Sequence, residues 1–151
     1  MESIAFSTKE KTQNNNDDAN FDERSAYRDK IEQYISAVGV KYIIDIHGMK
    51  KSRDCDINLG VNFGNNIKTD VDLYDKLLKE LQKSGFKVGI DEPFKASSRT
   101  IAGYFAAENN VWTIQVEINC GLTNESKNNQ KVNALLDVFY KVFKHIGKKV
   151  L

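Results

Sequence analysis

The sequence predicts an α/β domain with a mainly parallel or mixed central sheet and helices on both faces of that sheet. Segments with apolar residues at helical spacing alternate along the chain with short β-branched runs. The run VKYIIDIHGM, at 40–49, is typical of a strand that is buried on both faces, as in a parallel sheet. With 151 residues, of which 40% are hydrophobic, the chain fits one domain with a sizeable core.

The individual elements follow from local patterns. In the first helical segment apolar residues recur every three or four positions, and Gly39 ends the pattern. A second helix begins at an N-cap supplied by Thr69 or Asp70, carries leucines on one face and ends at Gly85. The predicted order is a helix at 22–38, strands at 40–49 and 57–64, a helix at 69–84, a strand at 86–90, a loop at 91–100, a strand at 111–119 and a helix at 129–146.

The N-terminal residues differ in composition from the rest of the chain. Residues 7–20, STKEKTQNNNDDAN, are polar and rich in Asn and Asp. This composition fits either a loop or a disordered tail. We therefore expect residues 1–20 to form a polar arm and residues 21–151 to form a single α/β domain.

The charge balance and the cysteine count indicate which classes of partner and which cellular compartment to expect. Lys plus Arg number 22 and Asp plus Glu 21, so the net charge of +1 lacks the basic excess typical of nucleic-acid or membrane-surface proteins. No apolar run approaches the ~20 residues needed to span a bilayer. Cys55 and Cys120 are too few for a disulfide framework. We expect a cytoplasmic protein with reduced thiols and with neither a nucleic-acid nor a membrane partner.

One of the two histidines, His47, lies at the end of the apolar run YIIDIHGM. The side-chain period of two puts Asp45 and His47 on one face of this strand, with Ile44 and Ile46 on the other. A carboxylate two residues before a histidine can orient its ring, as outer-shell partners do for metal-binding histidines. Two interpretations stay open: a metal ligand supported by Asp45, or a histidine that hydrogen-bonds to backbone at a strand end.

The strand VWTIQVEIN, at 111–119, alternates between apolar and polar residues. Thr113, Gln115, Glu117 and Asn119 share one face of it. An edge strand with one solvent-exposed face would show the same alternation. If the polar face instead lines a cleft, Glu117 can act as a general base and pass the proton to a leaving amine.

Arg53 and Arg99 are candidates for holding a substrate carboxylate or stabilising an oxyanion, and each is equally compatible with a solvated surface position. Cys55 and Cys120 have no evident activating base nearby in sequence, which argues against a thiol nucleophile. His145, in the basic last turn of the final helix, fits a structural role.

These segments, in their order, resemble the C-terminal half of the N-formylglutamate amidohydrolase family, zinc-dependent hydrolases with a zinc-exopeptidase-like fold. The family pattern is Asp-x-His and a small residue at a strand end, an LG strand, an N-x-P-[FY] loop and a Q-x-E-I-N strand. The resemblance spans about residues 17 to 146 and implies a phosphorylase/hydrolase-like fold. The matching motifs are Asp45-Ile46-His47-Gly48, Leu59-Gly60, Asp91-Glu92-Pro93-Phe94 and Gln115-Val116-Glu117-Ile118-Asn119.

The resemblance implies a zinc cofactor with His47 as a ligand, Asp45 in its outer shell and Glu117 as the catalytic carboxylate. It also implies a small N-acyl amino acid or peptide-like substrate, for which Arg53, Arg99 and Asn119 are candidate binding residues.

The sequence departs from the family in its metal ligands. The family supplies a further histidine and an acidic residue from a segment before the Asp-x-His strand, and no histidine precedes Asp45 here. The loop also has Asp91 where the family usually has Asn. The open interpretations are a domain whose site a partner or a further segment completes, a non-catalytic module that binds an acidic ligand, and a fragment of a larger hydrolase. An oligomer is compatible with each.

Overall fold

The computed structural model of the chain describes residues 26–123 and 129–150. The predicted arm at 1–20 and the first residues of the predicted first helix lie outside these ranges. Among the helices within them, none combines the length and the apolar character that crossing a membrane requires. The elements are α1 (Ala26–Val38), β1 (Tyr42–Met49), β2 (Ile57–Gly60), α2 (Val71–Lys83), β3 (Val88–Ile90), α3 (Ile101–Asn109), β4 (Trp112–Asn119), α4 (Cys120–Thr123) and α5 (Asn129–Val150).

The described strands form one four-stranded sheet in the order β1-β4-β2-β3. β1 and β4 are parallel and pair along their whole length, from Tyr42 beside Trp112 to Met49 beside Asn119. β2 is antiparallel to β4 and parallel to β3. The sheet is therefore mixed, which confirms the predicted fold class, and the carboxyl ends of β1 and β4 lie at the same end of the sheet.

One face of the sheet carries the hydrophobic core. Trp112, Ile114 and Val116 of β4 are fully or almost fully buried on this face. Helices α2 and α5 cover it, because their apolar residues recur at helical spacing. Burying a side chain of this size stabilises a fold by about 1.5–3 kcal/mol. The buried residues that α2 and α5 contribute are Leu73, Leu77, Leu81, Leu135, Val138, Phe139 and Val142.

The opposite face of the sheet is covered by α3, with α1 packed beside it. The Thr113 hydroxyl donates to the Ala102 carbonyl at 2.6 Å, which fixes α3 against the start of β4. The Tyr104 hydroxyl donates to Glu32 Oε1 at 2.8 Å and links α3 to α1. Helices therefore lie on both faces of the sheet, as predicted.

The structure corrects three details of the predicted elements. β1 lies at an edge among the described strands, with Ile46 53% exposed, and is not buried on both faces. The helix α3 was not predicted, because IAGYFAAEN is apolar almost all round and shows no amphipathic period. Its N-cap is Thr100, whose hydroxyl accepts from the Gly103 N–H at 3.1 Å. The strand predicted at 57–64 ends at Gly60, since Asn62 and Phe63 adopt left-handed φ values of 50° and 53°.

Candidate active site

Polar side chains of three neighbouring strands lie side by side on the face of the sheet that α3 packs against. The register places His47 of β1 beside Glu117 of β4, and Glu117 beside Asn58 of β2. Asp45 and Gln115 form the next row of the same face. Because neighbouring strands are about 4.8 Å apart, these side chains project from adjacent positions. The strands thus bring together the two motifs that carry His47 and Glu117.

Asp45 and His47 are in direct contact. Asp45 Oδ1 lies 2.9 Å from His47 Nε2, and the side chains are 11% and 25% exposed. The other oxygen, Asp45 Oδ2, is buried and has no hydrogen-bond partner among the residues that the structure describes. A carboxylate at this distance restricts the orientation of the imidazole ring.

Glu117 lies on an interior strand, so the interpretation of VWTIQVEIN as a solvent-facing edge strand is wrong. Its side chain is buried, and Oε1 accepts from Gln115 Nε2 at 2.7 Å. Gln115 Oε1 and Asn58 Oδ1 are also buried, and neither has a hydrogen-bond partner within 26–123 and 129–150. Buried polar atoms are normally paired, so these oxygens mark a face that is able to accept further donors.

Asn119, the last residue of β4, ties the site to the loop that follows β1. Its Nδ2 donates to the carbonyls of Lys51, Arg53 and Cys55, at 3.5, 3.2 and 3.0 Å. Its Oδ1 accepts from the Gly121 N–H at 2.9 Å, at the start of α4. The Asn119 amide therefore organises the loop beside the site, and its direct contact with a substrate stays a prediction.

The structure places the predicted arginines in two different loops. Arg53 is exposed, with its guanidinium 5.5 Å from the centre of the Phe94 ring. Arg99 is also exposed, and its carbonyl accepts from Arg28 Nη2 at 2.6 Å. Arg28 was missed in the sequence, yet its side chain is buried, 4.7 Å from the centre of the Tyr104 ring. Helical spacing alone gives no signal that separates it from a solvated arginine.

Asp91 is a second buried charge that sequence reasoning did not place. Its carboxylate accepts from the backbone N–H groups of Val61, Asn62 and Phe63, at 2.7, 3.0 and 2.7 Å. Three N–H groups can satisfy a carboxylate without a cation. Asp91 therefore joins the loop after β2 to the loop after β3. The positive φ values at Asn62 and Phe63, which turn these N–H groups inward, have no clear sequence signal.

The described residues do not form a complete zinc site. Within 26–123 and 129–150, no three His, Cys, Asp or Glu side chains lie close enough to hold a metal ion. A catalytic zinc needs three protein ligands and an open position, so the predicted ligand His47, with Asp45 in its outer shell, would supply only one of the three. Burial raises the pKa of the Cys55 thiol, which keeps it protonated and a poor nucleophile or metal ligand.

Comparison with known proteins shows the family of this chain. The family model for N-formylglutamate amidohydrolase matches residues 24–123, which include every candidate site residue. No curated protein matches the chain significantly.

Two solved structures show the same fold. The N-formylglutamate amidohydrolase from Ralstonia eutropha matches with a TM-score of 0.56 at 20% identity, over 76% of this chain and 46% of that chain. A gene product from Agrobacterium tumefaciens matches with a TM-score of 0.57 at 17% identity, over 80% of this chain and 49% of that chain. The chain thus spans about half the length of each of these structures.

Proposed function

This chain belongs to the N-formylglutamate amidohydrolase family, and we propose that it is a hydrolase domain acting on the amide bond of a small N-acyl amino acid or peptide-like substrate. The observation that carries the proposal is the pairing of His47 and Glu117 on adjacent parallel strands, near their carboxyl ends. Ligands of open α/β sheets bind beyond these ends. A compartment that keeps Cys55 and Cys120 reduced, such as the cytoplasm, suits the two free thiols.

In this proposal Glu117 is the general base. Its buried carboxylate takes a proton from the attacking water and delivers it to the amine that leaves. Gln115 Nε2 donates to Glu117 Oε1 at 2.7 Å, and the other carboxylate oxygen would accept from the water. The low exposure of Glu117 strengthens its electrostatic effect on the reacting atoms.

His47 is proposed as one ligand of a zinc ion, with Asp45 orienting its ring. Zinc in such sites lowers the pKa of a bound water and polarises a carbonyl. The described residues do not supply the remaining ligands, so they would come from outside 26–123 and 129–150 or from another chain. Arg53, Arg99 and Asn119 are proposed to bind the carboxylate and amide groups of the substrate.

The test is the Glu117→Gln variant, which keeps the size of the side chain and removes the base. We expect amide hydrolysis of N-formylglutamate and related N-acyl amino acids to fall by about 10²–10⁴-fold. Metal analysis should show zinc in the wild-type chain and in this variant, and less zinc after His47→Ala. Glu108→Gln, a matched change of an exposed carboxylate on α3, should retain full turnover. Unchanged turnover in Glu117→Gln would remove Glu117 from this role.

A second candidate function is a binding module without turnover. The incomplete metal-ligand set among the described residues favours it, since the sheet and its polar face form without one. It predicts N-acyl amino acid binding by calorimetry, weakened by Arg53→Ala, with no zinc and no hydrolysis in the wild-type chain. Stoichiometric zinc together with turnover would exclude this alternative.

A further inference from the structure

The loops that follow β1 and β3 meet beside the candidate site, where Arg53 contacts Phe94. The Arg53 guanidinium lies 5.5 Å from the centre of the Phe94 ring, a distance at which the face of a ring attracts a cation. Phe94 is partly buried and Arg53 is exposed. The acidic residue next to this arginine, Asp54, is paired with Lys87 at 2.7 Å. The Arg53 guanidinium therefore has an aromatic partner, while a lysine holds the neighbouring carboxylate.

The backbone of Phe94 is fixed next to Glu117. The register places Asn58 of β2 beside Glu117 of β4. Asn58 is fully buried, and its Nδ2 donates to the Phe94 carbonyl at 2.9 Å. The loop also lies directly on β2 at Gly60, where an added Cβ would be 2.8 Å from the Phe94 carbonyl oxygen. Because only glycine permits this close approach, the loop has one defined position beside Glu117.

The backbone of Arg53 is fixed one step further along β4. Asn119 follows Glu117 by two residues, so both side chains lie on the same face of the strand. The Asn119 Nδ2 donates to the Arg53 carbonyl at 3.2 Å. Asn58 and Asn119, the two asparagines nearest to Glu117 on this face, thus hold the two members of the contact between Arg53 and Phe94.

We propose that Arg53 binds a carboxylate of the substrate and that Phe94 is the positioning residue that orders the Arg53 guanidinium for this task. This inference rests on the proposed function and divides the roles among its candidate binding residues. A long arginine side chain loses rotamer freedom when it binds a ligand, and a side chain that a ring already holds loses less. The contact with Phe94 therefore makes the site selective for acidic substrates over neutral amides of the same size.

The chemistry of the guanidinium allows both contacts at once. A contact with an aromatic ring does not consume the N–H donors at the edge of the guanidinium. These donors are the groups that bind the two oxygens of a carboxylate. An N-acyl amino acid whose amide bond lies at Glu117 carries its carboxylate only a few bonds away. Arg53, held beside the same carboxyl end of β4, is therefore placed to bind it.

Calorimetry with N-formylglutamate tests the inference, in a Glu117→Gln parent that preserves the ligand. We expect Arg53→Ala to weaken binding about tenfold or more, and Phe94→Leu to weaken it about threefold. Phe94→Tyr, which keeps the ring, should bind as the parent does. Phe63→Leu is the matched control, because Lys95 Nζ lies 5.8 Å from the centre of that ring in the loop after β2, and it should leave binding unchanged. Equal binding by Phe94→Leu and its parent would overturn the role of Phe94.

Two further comparisons separate positioning from a general structural role. In an Arg53→Ala background, Phe94→Leu should have no further effect on binding, because the ring acts through the guanidinium. A neutral analogue of N-formylglutamate, with both carboxylates replaced by amides, should bind the parent and Phe94→Leu with equal affinity. Additive losses in the double variant, or an equal loss with the neutral analogue, would mean that Phe94 supports the loop alone, and would overturn the inference.

Steady-state kinetics separates this inference from the proposed hydrolysis. In a chain that hydrolyses N-formylglutamate, Phe94→Leu should raise KM about threefold and leave kcat within about twofold of the wild type. Carboxylate-dependent binding that both Arg53→Ala and Phe94→Leu weaken, in a chain without amidase activity, would support this inference and count against the proposed function. Hydrolysis whose KM neither substitution changes would overturn this inference and leave the proposed function standing.

Discussion

The two faces of β4 are almost equally buried and opposite in chemistry. Ile114 is 0% exposed on one face, and the next residue, Gln115, is 3% exposed on the other. The first packs among leucines of α2 and valines of α5. The second lies among carboxylate and amide groups, some of whose oxygens have no hydrogen-bond partner in the described part of the chain.

The apolar face of β4 therefore stabilises the domain, and the polar face carries the groups that can take part in chemistry. Packing satisfies the apolar face completely, so it needs nothing further. A buried oxygen left without a donor costs about 1–3 kcal/mol, so further donors can stabilise the polar face. We therefore predict that substitutions on the apolar face mainly reduce stability and that substitutions of the site residues on the polar face mainly reduce activity.

The largest expected effect is on the apolar face. Ile114→Ala removes a fully buried side chain between the sheet and α2 and α5. We expect the free energy of unfolding to fall by about 3 kcal/mol, measured by urea denaturation. Ile46→Ala, on the same face of β1 but half exposed, should cost less than about 1 kcal/mol. Equal losses at the two positions would contradict the packing described for this face.

The next effect concerns Asn119, a position of the polar face that has a clear structural task. Asn119→Ala leaves the carbonyls of Lys51, Arg53 and Cys55 without their shared donor. We expect a loss of about 2 kcal/mol in unfolding free energy. Trypsin should also cut faster in this loop, which mass spectrometry of the fragments would show. Asn109→Ala, an exposed change at the end of α3, should alter neither.

Glu117→Gln should change stability by less than about 1 kcal/mol, because the amide has the same shape and Oε1 can still accept from Gln115. The same urea titration measures it, and the activity assay shows the separate effect on turnover. A loss above about 2 kcal/mol would mean that the buried charge of Glu117 supports the fold, and the comparison of the faces would fail.

The smallest effect is at the outer layer of the polar face, where the Tyr104 hydroxyl donates to Glu32. Tyr104→Phe should cost less than about 1 kcal/mol at neutral pH, since the contact is partly solvated. This hydrogen bond raises the pKa of Tyr104, so the folded state holds the phenolic proton more tightly than the unfolded state. The stabilisation is therefore present below the ordinary tyrosine pKa and is lost as pH rises through the raised pKa.

Urea titrations of the wild type and of Tyr104→Phe across this pH range measure that loss. The difference between the two proteins should vanish at high pH. Tyr140→Phe on α5, largely exposed, is the control and should show no such trend. A difference that persists when Tyr104 is ionised would contradict the assigned hydrogen bond.

Local periodicity predicted the strands and the amphipathic helices, because α2 and β4 carry their pattern within a few residues. It missed α3, since a helix that is apolar all round has no period to detect. The face shared by Asp45 and His47 was predictable from the alternation of one strand. The place of Glu117 beside His47 was not, because pairing between distant strands sets it. Motif order supplied that link in the sequence.

Other parts of the site arise from contacts between loops. In the sequence Asp91 resembles any aspartate of an exposed loop, because its partners are backbone N–H groups of Val61 to Phe63, about 30 residues away. Arg28 reads as a solvated helix residue until α1 is packed beside α3. No pattern within one segment encodes either contact, so sequence periodicity could not have found them.

The carboxylate of Asp91 also determines how the domain responds to ionic strength. The pairs between Lys141 and Glu80 and between Lys87 and Asp54 lie at the surface, where dissolved ions screen them. Asp91 is held instead by backbone dipoles, in a buried place that counterions do not reach. The junction between the loops after β2 and β3 should therefore keep its shape in concentrated salt, where the surface pairs lose their attraction.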